Sequence, residues 1–80
     1  MTPIEFARAM RAAGFRYWRM RRGVAGFTRT RMIGGRKAYT STCVSLELLK
    51  RRSLPLEQLV AKLVADSEHR FARLADQVLA

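Results

Sequence analysis

Apolar residues recur at helical spacing at both ends of this chain and at alternate positions in the middle. Ile4, Phe6, Ala7, Met10 and Ala13 form one stripe at helical period. Thr2-Pro3-Ile4-Glu5 ahead of it is a capping box with proline at the first helical position. Gly14 is a natural left-handed stop, so a helix is expected over residues 3–13. From Phe15 the period drops to two. Phe15, Tyr17, Arg19 and Arg21 alternate with Arg16, Trp18, Met20 and Arg22, a first strand. Gly23-Val24-Ala25-Gly26 offers a turn. Phe27, Arg29, Arg31 and Ile33 then alternate with Thr28, Thr30 and Met32, a second strand rich in threonine. Gly34-Gly35 suits a tight hairpin, since both residues tolerate positive φ. Arg36 to Cys43 makes a third strand, with Lys37, Tyr39, Ser41 and Cys43 on one face and Arg36, Ala38, Thr40 and Thr42 on the other. Neither face of this sheet is cleanly apolar.

Helical signals return after Ser45. Ser45 can cap a short helix to about Arg52, with Glu47 in its first turn and Lys50-Arg51-Arg52 in its last. Ser53-Leu54-Pro55 is a break, and Pro55 opens a helix that could run to Val78. Its stripe includes Leu56, Val60, Val64, Phe71, Leu74 and Val78, with Ser67 at the one polar site. Asp66-Ser67 could also cap a separate last helix. The stripe can cover the sheet, and Phe71, Leu74 and Val78 could meet a second copy at heptad-like spacing, so a homodimer is expected. The order αβββαα implies a small α+β fold: a three-stranded antiparallel sheet packed by helices. One domain spans residues 1–80, with a helix and meander in 1–44 and a helical half in 45–80.

Composition narrows the chemistry. Eighty residues build a thin core. Cys43 is the one cysteine and His69 the one histidine, which rules out an internal disulfide and a four-ligand zinc site. His69 reads as a surface residue and Cys43 as a buried small apolar one. No phosphate-binding glycine loop or dinucleotide fingerprint occurs, and neither cofactor nor metal is expected. No apolar run is long enough to span a membrane, and the opening residues lack the pattern of a signal peptide. A cytoplasmic location is expected.

Charge changes the picture most. Sixteen Lys plus Arg stand against six Asp plus Glu, a net charge of +10. Residues 1–37 hold ten of those cations and one anion, Glu5. The second half is nearly neutral. Thirteen cations are arginine, whose planar fork suits phosphates and stacks on bases. A one-sided positive field marks a polyanion partner. The expected contacts are Arg16, Arg19, Arg21, Arg22, Arg29, Arg31, Arg36 and Lys37, with Tyr17, Trp18, Phe27 and Tyr39 lying among them. Most of these aromatics are expected in the core.

Ala13-Gly14-Phe15, the arginine-rich strand and Gly34-Gly35-Arg36 give residues 3–42 a resemblance to HicA-type mRNA interferases. Those are small basic toxins with a helix ahead of a short meander. The resemblance implies an αβββα scaffold on a basic, RNA-binding sheet. That family's catalytic histidine has no counterpart in this meander, so no site residue carries over. GGRKAYT followed by LKRRSLPLEQL is also similar to winged-helix and MerR-like regulators, but one helix, rather than a helix-turn-helix, precedes the hairpin.

These features together imply a non-enzymatic nucleic-acid-binding protein, DNA ahead of RNA, of the kind found among small bacterial or phage regulatory or accessory factors. The alternatives are an inhibitor or adaptor docking on an acidic protein, and a ribonuclease toxin.

Overall fold

The computed structural model describes residues 2–51 and 55–79, and the backbone alone of Leu48. The elements are α1 (Pro3–Ala12), β1 (Arg16–Arg21), β2 (Val24–Ile33), β3 (Arg36–Ser45), α2 (Leu46–Arg51) and α3 (Leu56–Leu79). The strands form one antiparallel sheet in the order β1-β2-β3. The α+β expectation therefore holds. The expected break at Ser53-Leu54, and Arg52 beside it, lie outside the described residues.

Local chemistry sets the ends of α1. The Thr2 hydroxyl accepts from the Glu5 amide at 3.1 Å. At the far end Gly14 takes φ 94°, the Phe15 amide donates to Met10 O and the Gly14 amide to Arg11 O. This pair of bonds satisfies carbonyls that the helix end would otherwise leave open. It also turns the chain directly into β1.

The first hairpin differs from expectation. Its loop is Arg22-Gly23, not Gly23 to Gly26, because Arg21 pairs with Val24. Arg22 and Gly23 take φ 52° and 73°, the handedness that matches the twist of the flanking strands. Gly34 and Gly35, at φ 58° and 78°, make the second hairpin in the same way. A bulge interrupts β1 between Tyr17 and Arg19.

The buried face of the sheet is the one carrying Ala25, Phe27, Arg29, Arg31 and Ile33. Phe6, Met10, Phe15, Ala25, Phe27, Leu49, Leu59 and Val60 form the core between this face and the helices. Phe6 meets Phe27 edge to face at 5.5 Å between centroids. Burying each such phenylalanine contributes about 1.5–3 kcal/mol of transfer free energy. All four phenylalanines are buried, whereas Tyr17, Trp18 and Tyr39 are exposed. The expectation that most of Tyr17, Trp18, Phe27 and Tyr39 serve the core is thus corrected, since of these four Phe27 alone is buried.

α3 is one unbroken helix across that face. Asp66 and Ser67 sit inside it rather than capping a new one. Ser67 is buried and its hydroxyl lies 2.6 Å from that of Thr40, which is buried too. Arg29 donates to Ser67 at 3.2 Å and pairs with Glu68 at 3.0 Å, and Arg31 also pairs with Glu68. The two guanidinium groups lie over Phe15 and Phe71 respectively. Two arginines can therefore occupy the helix-facing side of a strand: their guanidinium heads lie over aromatic rings and meet one carboxylate. Phe71, expected in a dimer seam, is 1% exposed within the single chain. Leu74 is half-buried, and Val78 lies against Gly34.

Candidate functional site

Among the described residues, no helix lies on the opposite face of the sheet. Arg16 stands opposite Thr28, Arg19 opposite Gly26 and Arg21 opposite Val24, whereas Tyr17 and Met20 stand opposite the inward-facing Phe27 and Ala25. The bulge causes this. Strict alternation would put Trp18 on the other side from Arg19 and Arg21. One extra residue in β1 lets Trp18 and Arg19 share the position across from Gly26. Arg16, Trp18, Arg19 and Arg21 consequently all belong to the open face.

Gly26 shapes the centre of this face. A Cβ there would lie 2.7 Å from the Trp18 indole nitrogen, so the indole rests where a side chain would otherwise stand. Trp18 remains 52% exposed, which leaves ring surface free for a ligand. The Arg19 guanidinium lies 5.6 Å from the centre of that ring. Trp18, Arg19, Arg21, Arg22, Gly26 and Cys43 line a shallow cavity of about 390 Å³. Further along, Lys37 and Tyr39 pair on β3 with the ammonium 6.0 Å from the ring centre. Thr28 and Ser41 lie between the two clusters, their hydroxyls 3.5 Å apart. Met32 is exposed at the hairpin end.

No acidic residue occurs between Glu5 and Glu47, so every strand is free of carboxylates. Phosphate oxygens approaching this face would meet cations, hydroxyls and aromatic edges. Among the described residues, ion pairs involve Arg29, Arg31 and Arg51, none of which lies on the open face.

The eight cations singled out from the sequence thus divide. Arg16, Arg19, Arg21 and Lys37 are on the open face, and Arg22 joins them from the hairpin loop. Arg36 is exposed but stands opposite Ile33, on the helix-facing side. Arg29 and Arg31 face α3 and are engaged by Glu68. The hydrogen bond from Arg31, then that from Arg29, holds the Glu68 carboxyl below the usual glutamate range. The same bond raises Arg31 above its ordinary value.

His69 is exposed on α3, and Cys43 is exposed on the open face rather than buried. Among the described residues no group of three or more His, Cys, Asp or Glu side chains could hold a metal ion. No described helix is long and apolar enough to cross a membrane. No protein family, curated protein or solved structure matches the chain.

Proposed function

We propose that this protein binds single-stranded nucleic acid on the open face of its sheet, without a catalytic step. The observation that carries the reading is the bulge-built cluster of Arg16, Trp18, Arg19 and Arg21 on a carboxylate-free face. Arginines there neutralise phosphates and release counterions. Trp18 and Tyr39 offer exposed rings, and only unpaired bases can stack on them. That combination favours a single strand over a duplex, in DNA or in RNA.

The test is fluorescence anisotropy with labelled oligothymidylate, oligouridylate and duplex DNA across a salt series. Single strands bind more tightly than the duplex, and the logarithm of affinity falls with that of salt by about 0.7 for each phosphate neutralised. Trp18→Ala weakens binding about tenfold, the scale of one lost base stack. Arg19→Gln with Arg21→Gln flattens the salt slope by about 1.4. An affinity for every strand that ignores salt, or no affinity at all, overturns the reading.

A further inference from the structure

β1 is an edge strand, and its far side carries a second basic groove. Ala7, Arg8 and Arg11 of α1, with Phe15, Arg16 and Tyr17 at the start of β1, line a groove of about 530 Å³. Its three arginines are exposed. None of its lining residues is acidic. Tyr17 is 54% exposed and touches Phe27 edge to face at 5.9 Å, which holds its ring in place while leaving much of it open. Arg8 and Arg11 lie three residues apart on α1, so their stems rise from one side of the helix.

Arg16 links the groove to the open face. It pairs in register with Thr28, and its side chain also lines the groove. Tyr17 and Trp18 are consecutive, yet the strand sends the first to the groove and the second to the open face. Cations and exposed rings therefore continue round the free edge of β1, from Arg21 and Arg19 through Arg16 to Arg11 and Arg8. We infer that the α1–β1 groove is a second binding site for the same nucleic acid, taking the phosphates and one base of a single strand that wraps the edge of β1 after leaving the open face.

The inference rests on the proposed open-face site and extends it by a segment of strand. A charged protein partner would fit the arginines as well. The continuity with Trp18 and the exposed Tyr17 ring favour a strand, whose bases can stack at both places.

The experiment compares short and long oligothymidylates, of about 4 and about 12 nucleotides, a range that single-strand sites on small domains span. The wild-type chain, Arg8→Gln/Arg11→Gln, and Arg51→Gln/Arg73→Gln are titrated with each. The last pair removes the same charge from α2 and α3, away from the groove. Folding of each variant is checked by thermal melting. Arg8→Gln/Arg11→Gln is expected to weaken binding of the long strand about tenfold and to lower its salt slope by about 1.4, leaving the short strand unchanged. Arg51→Gln/Arg73→Gln leaves both unchanged. Equal weakening by both pairs makes the effect one of net charge and overturns the inference. So does an unchanged long-strand affinity in Arg8→Gln/Arg11→Gln, while Trp18→Ala still weakens the short one; the open-face reading then survives alone. Polyglutamate binding that depends on Arg8 and Arg11, with oligonucleotide binding indifferent to them, assigns the groove to an acidic protein instead and also overturns it.

Discussion

The indole of Trp18 occupies the place where a side chain of Gly26 would stand. A Cβ at Gly26 would meet Trp18 Nε1 at 2.7 Å and Cε2 at 2.8 Å. The glycine lies in mid-strand without the positive φ of the turn glycines, so close approach rather than backbone conformation is its reason for being there. Gly26→Ala should therefore push the indole off the sheet and leave the strand pairing intact. Tryptophan emission shifts to the red, and single-strand affinity falls about tenfold, as for loss of one stack. Far-UV circular dichroism should not change. An unaltered emission spectrum would mean that the ring has another seat.

The hydroxyls of Thr40 and Ser67 meet at 2.6 Å with both residues buried. Removing Ser67 strands the Thr40 hydroxyl away from water, whereas removing Thr40 leaves Ser67 its bond from Arg29. Ser67→Ala should cost about 1–3 kcal/mol, and Thr40→Val should cost less, because Ser67 keeps its bond from Arg29. The double variant should cost less than the two single costs added, because no hydroxyl then lacks its partner. The Arg29 bond to Ser67 is lost in Ser67→Ala and in the double variant but survives in Thr40→Val, so the coupling stays incomplete. Urea unfolding of the four proteins in the cycle measures it.

How much of this was legible in the chain depends on range. The ends of α1 were, because Thr2, Pro3 and Gly14 act on neighbours. The faces of β2 and β3 were, because alternation is local. The side that turns inward was not. Arg29 and Arg31 disguise the buried face, and what makes them tolerable there is Glu68, 39 and 37 residues away in the chain. The face of Trp18 was hidden for another reason. A bulge adds one residue to the count, and hydrophobic alternation carries no mark of it. Gly26 reads in the sequence as part of a turn, since a glycine needed for close packing looks the same there as one needed for a loop. The arginines at 29 and 31 are accordingly poor probes of binding, because charge reversal there would confront Glu68 with like charge.

Glu68 ties the acid limb of stability to that contact. Its folded-state pKa is lowered, chiefly by the Arg31 hydrogen bond. Deprotonated Glu68 therefore contributes stability above the ordinary glutamate value of about 4.3, and the contribution is lost as pH falls through the lower folded-state value. Glu68→Gln removes that dependence. Thermal melts between pH 6 and pH 2 should show the wild-type midpoint falling more steeply than the variant's below about pH 4.3, with the two curves converging in acid. Because the contact is solvent-exposed, salt should narrow the gap at neutral pH. Parallel curves throughout would show that the carboxylate contributes nothing there.

Arg22 sits at φ 52° in a two-residue hairpin loop, beside Gly23 at φ 73°. A left-handed conformation costs an ordinary side chain about 1–2 kcal/mol, and asparagine is among the residues that bear it best. Arg22 also lines the cavity beside Trp18 and Arg21, where its charge faces the incoming strand. The strain and the charge predict opposite effects of one substitution. Arg22→Asn should raise unfolding free energy by about 1 kcal/mol, since Asn-Gly is a favoured pair for this turn. It should also weaken single-strand binding and reduce the salt slope by about 0.7, the share of one phosphate. Urea unfolding and salt-dependent anisotropy on the same preparation separate the two. A variant that gained stability and kept its full salt slope would show that Arg22 reaches no phosphate, and would leave its strained conformation without a binding role.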